Sequence, residues 1–170
     1  MSRLKEVFPY KAPSKKVTAN MCDINGHMNV SYYLETFDVY SRSLFESLGF
    51  TQDYFTQGFS CFAIEDNIRY LNEFLEGDNI YPRFRIHNYN HKLIHVVGVL
   101  LNEDEELSSI SETIVAHIDM TQRRTMNMPQ TLLQKVEAVS VEHCHKGSIN
   151  FDLRLSVTNK KSNLLIPQEL

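Results

Sequence analysis

The sequence has no tryptophan, and only three cysteines, five prolines and six glycines among its 170 residues. Cys22, Cys61 and Cys144 are too few and too scattered to frame a disulfide scaffold, so the chain reads as made in a reducing compartment. Scarce Gly and Pro exclude a collagen-like or low-complexity chain. Long apolar runs are missing too. The most apolar stretch, 94–101, contains His95 and is far short of the ~20 residues that cross a bilayer. The opening MSRLKEVFPYK carries charges where a signal peptide needs an apolar core. A soluble cytoplasmic protein without a membrane partner is expected. Basic excess is also absent. Lys and Arg total 17 against 21 Asp and Glu, a net charge of -4, which argues against a nucleic-acid partner. No Gly-rich phosphate loop of the GxGxxG or GxxxxGK[ST] type is present, which disfavours a nucleotide-dependent enzyme.

Seven histidines invite a metal reading, and their spacing does not support one. His87, His91 and His95 would align on a helix, but that stretch reads as a hairpin, where they would not converge. His143 and His145 flank Cys144 on an expected strand face, with no third ligand at a recognisable spacing. No metal is expected.

What the chain does have is an aromatic block. Of ten Phe and eight Tyr, 15 fall between Tyr32 and Tyr89. The length suits one domain, and such a chain buries roughly 68–70% of its unfolded surface. Apolar residues at Val30, Tyr33, Leu34, Phe37, Leu44, Phe45 and Leu48 predict an amphipathic helix, with Asn29 as its N-cap and Gly49 as its stop. Asp38 and Arg42 make a favourable i,i+4 pair on the other side. A helical turn over 53–57 follows. A first strand is expected just before residue 23, then strands over 62–71, 81–87, 91–101 and 107–119. In the strand after Gly58, Phe62, Ile64, Ile68 and Tyr70 should share one face, and Ala63, Glu65, Asn67 and Arg69 the other. Pro129 should open a short helix over 130–139, and a last strand should run from Ser148 to Thr158 before a loose tail. One long helix followed by antiparallel strands is an α+β pattern.

The segment that can carry chemistry is Asp23-Ile24-Asn25-Gly26-His27-Met28-Asn29, just before the long helix. The helix start leaves amides near Val30 and Ser31 unpaired and partly positive, which suits a polarised carbonyl or an oxyanion. Asp23 could attack beside that end, or activate water there. His27 could donate to a leaving group, and Asn25 and Asn29 could position substrate. The same residues also serve ordinary turn and capping chemistry. Cys22 lacks a supporting His, and its carboxylate neighbour disfavours the thiolate, so a packed thiol is expected.

The run D-I-N-G-H-M-N-V-S-Y-Y resembles the active-site signature of hotdog-fold acyl-CoA thioesterases of the 4-hydroxybenzoyl-CoA thioesterase-like group, D-x-x-G-H-x-N-N-x-x-Y. Asp23, Gly26, His27, Asn29 and Tyr33 match, while Val30 departs from the second Asn. GFSCFAIEDNIRYLNEFLEGD, HKLIHVVGVLL and ETIVAHIDMTQRRTMNMP extend the resemblance over roughly 15–135. It implies a hotdog domain over 1–139, a helix wrapped by a curved antiparallel sheet, with 140–170 as an extension of the same domain. It implies a homodimer or dimer of dimers with sites at the interface, an acyl-CoA substrate, and no cofactor beyond the coenzyme A of that substrate. By resemblance Asp23 is the nucleophile or general base. The helix start at Val30 would bind the thioester carbonyl.

Details of the strand after the helix and of the RRT stretch resemble the betainyl-CoA thioesterases of carnitine breakdown more narrowly. That implies a cationic acyl group, for which Tyr32, Tyr33, Phe62 and Glu65 are the expected contacts. Glu65 could equally pair with Arg69. Lys92, Arg123 and Arg124 are candidate partners for the phosphates of coenzyme A, or solvated loop charges. Two rival functions share the fold. An enoyl-thioester hydratase would use His27 with Glu65, and a non-catalytic acyl-CoA-binding module would be expected to have lost the loop acid. Asp23 is intact.

Overall fold

The computed structural model describes residues 4–157. A short turn of helix, α1 (Leu4–Val7), leads to two two-residue strands, β1 (Tyr10–Lys11) and β2 (Lys15–Lys16). The full first strand expected just before residue 23 does not form; that stretch holds a turn of 3-10 helix, Ala19–Met21. The long helix α2 runs Val30–Leu48 and α3 covers Gln52–Thr56. Strands β3 (Phe59–Tyr70), β4 (Asn79–Tyr89), β5 (Leu93–Leu101) and β6 (Leu107–Asp119) follow, then β7 (Arg124–Thr125) and α4 (Gln130–His145). The main strands pair antiparallel in the order β1-β4-β5-β6-β3, with β2 on β4 and β7 on β6. This is the α+β arrangement expected for a hotdog domain, with α2 against one face of the sheet.

Local chemistry sets the bounds of α2. The Asn29 side chain accepts from the Ser31 amide at 3.0 Å, and Gly49 takes φ 115° at the other end. Tyr33, Phe37, Leu44 and Leu48 are buried, and they pack with Phe84, Ile86 and Val96 of the sheet. Gly98 permits the close approach. A β-carbon there would sit 2.9 Å from the rings of both Phe37 and Phe84.

Every residue of β5 is buried, because the sheet is covered on both faces. Val7 and Phe8 cover Val97, Val99 and Leu101 on the outer face, and the segment 149–157 adds Phe151, Leu153, Leu155 and Val157. That segment is not the expected strand. Over its described residues it runs without strand pairing, and its amides turn to a side chain instead. The Glu112 carboxylate, fully buried on β6, accepts from the amides of Arg154 and Leu155 at 2.9–3.0 Å. Arg69 and His95 each lie 3.5 Å from the same carboxylate. The tail beyond 157 lies outside the described residues.

Three further expectations change. The helix from Pro129 continues to His145, so His143 and His145 sit on a helix rather than a strand. His143 is buried, and its Nδ1 accepts the Ile86 amide at 2.9 Å, beside a bulge in β4 that takes that amide out of the ladder. His87 and His95 do meet across the hairpin, with ring centroids 5.1 Å apart. Even so, no group of three metal-ligating side chains gathers among the described residues. No helix among them is long and apolar enough to cross a membrane.

Burial pushes His95 and His143 down to about 4. An exposed histidine in the unfolded chain takes its proton near pH 6.5. The unfolded state therefore binds more protons between pH 6.5 and 4, and native stability falls as pH drops through that window. Urea unfolding is expected to give a stability about 1–2 kcal/mol lower per histidine at pH 5 than at pH 7. His143→Asn, which keeps an acceptor for Ile86 but cannot titrate, should reduce that pH dependence by one histidine's share.

Candidate active site

The loop before α2 is a tight, self-bonded turn. The Asp23 amide donates to the His27 carbonyl, and the Gly26 amide to the Asp23 carbonyl, both at 3.0 Å. Gly26 makes the bend with φ 84°. Two bonds moor the turn to the body of the protein. The Met28 amide donates to the Phe74 carbonyl at 2.8 Å, and the Asn29 amide to the Met21 carbonyl at 2.9 Å.

This geometry fixes the Asp23 carboxylate. The Asn25 amide donates to Oδ1 at 2.8 Å, and the Asn25 side chain donates to Oδ2 at 3.3 Å. His27 Nε2 stands 3.8 Å from Oδ2. Side-chain exposure is 25% for Asp23 and 37% for His27, so both can reach a molecule from solution. Asn25 and His27 thus both address Asp23. Asn29 does not. Its Oδ1 is occupied by the amide and hydroxyl of Ser31, at 3.0 and 2.8 Å. The Tyr32 amide goes to the Asn29 carbonyl at 3.0 Å. Of the first amides of α2, that leaves Val30's to meet an incoming carbonyl, while the Ser31 amide is already capped. Partial burial, then the carboxylates of Glu76, Asp23 and Asp78, push the Cys22 thiol up, in keeping with a packed, unreactive thiol.

Next to this end opens a cavity of about 770 Å³, between α2 and the inner face of the sheet. It begins at Ser31, the second residue of α2, and follows the helix past Leu34 and Asp38 to Glu46. Ala63, Cys61, Asp66, Ser111, Thr113 and Val115 form its sheet wall. Phe37, Phe45, Phe50, Phe55 and Phe84 supply aromatic faces.

Several expected contacts do not line this cavity. Tyr33 is buried, and its hydroxyl accepts the Phe74 amide at 3.2 Å, so it braces the 71–75 turn. Tyr32 donates to the Asn20 carbonyl at 3.0 Å and lies near Lys15. Phe62 packs on the outer face with Ile114 and Ala116. Glu65 stands opposite Ile114, so it too is on the outer face. The cause is a bulge between Ala63 and Glu65. It consumes one extra residue and moves Phe62 off the face of Ile68 and Tyr70, while Glu65 stays with Arg69 and Asp66 stays with Ile68 on the helix side. Arg69 is near Glu112 rather than in an ion pair with Glu65. The His27 ring stands beside Asp23 and Glu65 is on the outer face, so the two do not form the pair a hydratase would need.

The three basic candidates cluster at the opposite end of the sheet. Lys92 accepts from the His117 amide through its carbonyl, and Arg124 is paired opposite Asp119 beside Arg123. The α2 start lies instead near Tyr70, which pairs with Ser109. Ser109 and Asp119 are about 34 Å apart along β6. Sequence reasoning missed Asp66, Ser111 and Thr113. For Asp66 the signal exists: alternation groups it with Ile68 and Tyr70, on the face it occupies.

A sequence profile of the thioesterase-like superfamily matches residues 17–136, from before the Asp23 turn into α4. The chain belongs to this superfamily. Among its curated relatives is the L-carnitine dehydrogenase/betainyl-CoA thioesterase of Agrobacterium fabrum. It is 27% identical over 157 residues, 89% of this chain but 32% of that protein. The betainyl-CoA thioesterase of Pseudomonas aeruginosa is 26% identical over 79% of this chain and 84% of its own length. This chain spans 27–32% of the length of these two-activity relatives. A hypothetical protein of Staphylococcus aureus, solved in complex with CoA, superposes with a TM-score of 0.76 at 21% identity, covering 86% of this chain and 94% of its own. At that identity the match establishes a shared fold, in agreement with the superfamily assignment.

Capping is the role the geometry gives Asn29, and it can be separated from chemistry. Asn29→Ala should lower stability by about 1 kcal/mol, while Asn29→Asp, which also caps, should cost little. Denaturant titration of the two variants checks this.

Proposed function

We propose that this protein hydrolyses an acyl-CoA thioester, with Asp23 supplying the catalytic carboxylate. The observation that carries the reading is the placement of Asp23. It is a solvent-reachable carboxylate held by Asn25, with His27 3.8 Å away, next to the α2 start where the Val30 amide has no partner among the described residues. A thioester carbonyl seated on that amide would develop its negative charge at the positive helix end. A C–O bond forms at the carbonyl carbon and the C–S bond breaks. One water is consumed, and a carboxylic acid and the coenzyme A thiol leave. Asp23 either attacks the carbon itself or takes the proton from the attacking water. His27 is placed to orient Asp23, and Asn25 holds its carboxylate. No step requires a cofactor. The names of the betainyl-CoA thioesterase relatives support the same reaction, and they favour a cationic acyl group.

The working unit in this reading is a dimer paired through β3. That strand is 12 residues long and bonds only to β6 among the described strands, so its outer edge is open. Ile24, Val30, Leu34, Tyr70, Leu71 and Leu75 leave exposed apolar surface near the end of the same edge. Two-fold pairing of identical edge strands is antiparallel, so it would bring the Lys92, Arg123 and Arg124 end of one copy beside the Asp23 loop of the other. Those cations would then meet coenzyme A phosphates in trans, although they are about 34 Å along the strand from the loop of their own chain.

Asp23→Asn should keep the fold, measured by circular dichroism, and lower thiol release by at least about a hundredfold. Near-normal turnover would overturn the assignment. A single turnover in H₂¹⁸O that leaves label on the Asp23 carboxylate establishes direct attack, because water activation labels the product alone. The trans arrangement has its own test. Copies carrying Asp23→Asn and copies carrying Arg123→Glu with Arg124→Glu should each be inactive. A co-refolded mixture should regain roughly a quarter of the wild-type rate, since half the dimers are mixed and each has one intact site. No recovery would place the cations in cis or outside the site.

A further inference from the structure

We propose that Asp66, assisted by Ser111, is the residue that sets acyl-group specificity, by holding a positively charged acyl head against the sheet wall of the cavity. The proposal rests on the thioesterase reading above and adds the recognition site that reading lacks. Four carboxylates and one guanidinium line the cavity. Two of the four are already neutralised. Lys15 lies 3.4 Å from Glu35, and Arg42 lies 2.6 Å from Asp38. Glu46 sits at the far helix end, four residues beyond Arg42. Asp66 is the wall acid facing the middle of α2, and no cation pairs with it among the described residues. Among the described residues its one hydrogen bond comes from the Thr113 hydroxyl, which donates to Oδ1 at 2.6 Å. Oδ2 is left for a ligand.

Ser111 points to the same place independently. It lines the same wall, two residues along β6 from Thr113 and so about 7 Å away. It is 3% exposed, and its hydroxyl has no hydrogen-bond partner among the described residues. A buried hydroxyl without a partner is rare, because leaving it unpaired is costly. Beside an uncompensated carboxylate, its electron-rich oxygen adds a second attraction for a cation. Much of the remaining wall is apolar and aromatic, with Ser60 and Thr113 as its other hydroxyls on the sheet side. Phe37, Phe45 and Phe84 offer ring faces of the kind that hold quaternary ammonium groups. Gly98, which also lines the cavity, keeps this stretch of wall flat. A ligand that fits has a compact, apolar-skinned positive head. The cavity starts at Ser31, so a short acyl chain would connect that head to a carbonyl at the α2 start.

The experiment compares two substrates of one shape. Betainyl-CoA carries a trimethylammonium head, and 3,3-dimethylbutyryl-CoA has carbon in place of the nitrogen. Wild-type kcat/KM is expected to favour the cation at least tenfold. Asp66→Asn, which can still accept from Thr113, should cut that ratio at least tenfold. Asp66→Glu should restore part of it, and Ser111→Ala should reduce it a few fold. Glu65→Gln, one residue away on the outer face, should leave the ratio unchanged. A ratio unaffected by Asp66→Asn, or moved equally by Glu65→Gln, overturns the proposal while leaving the thioesterase reading intact. Thiol release from no acyl-CoA in the wild type overturns the thioesterase reading instead. Calorimetric binding of betainyl-CoA to the wild type and Asp66→Asn then decides the site, since equal affinities would overturn it.

Discussion

The rings of Phe37 and Phe84 occupy the space that a β-carbon at position 98 would need. That contact lets α2 lie close across the inner face of the sheet, and other features of the protein depend on it. The closeness buries Tyr33, Phe37, Leu44 and Leu48 in one core with the central strands. It also defines what is left over. Where the helix and the sheet do not fill the space between them, the cavity opens, lined by aromatic rings on a floor without a side chain at Gly98. The helix that closes the core also presents its N-terminus at the cavity's end, next to the Asp23 turn. Packing and site geometry therefore share one cause.

The outer face answers a different requirement. Strand β5 is apolar on both sides and must be covered on both. The short α1 and the segment 149–157 provide that cover without extending the sheet. A segment that forms no strand leaves its amides to be satisfied elsewhere, and Glu112 accepts two of them. Burying a carboxylate is costly unless it is bonded, and here Arg69, His95 and the two amides surround it. This cluster is part of the architecture, on the face away from the cavity. It absorbs Arg69 and His95, which read along the chain look like members of a site.

Much of the framework was legible because its signals are local. Asn29 and Gly49 bound α2 through capping chemistry that operates within a turn. Strand β6 runs Leu107–Asp119, the bounds expected for it. The Asp23 turn was legible for a similar reason: Asp23, Asn25 and His27 are close enough in sequence to meet by bending at one glycine. The same locality misled at Asn29, where capping and catalytic residue types coincide. Elsewhere the pattern failed wherever one strand's relation to another mattered. The bulge at Ile64 is a response to pairing with β6, so the reversal that puts Phe62 on the face of Glu65 has no signature in β3 alone. The helix continues to His145 because His143 finds the Ile86 amide, exposed by a second bulge.

The amino-acid sequence by itself determined the helix and its caps, the main strands, the acid-bearing turn and the superfamily. Each rests on interactions between residues a few positions apart, or on a motif carried by such residues. Only the tertiary structure decided which acid faces the cavity, which histidines meet, what covers the outer face, and that the basic end lies far from the Asp23 loop of its own chain. Those depend on register and on contacts between residues dozens of positions apart. A single extra residue in a strand reverses the side chains beyond it, and the composition of that strand does not register the change.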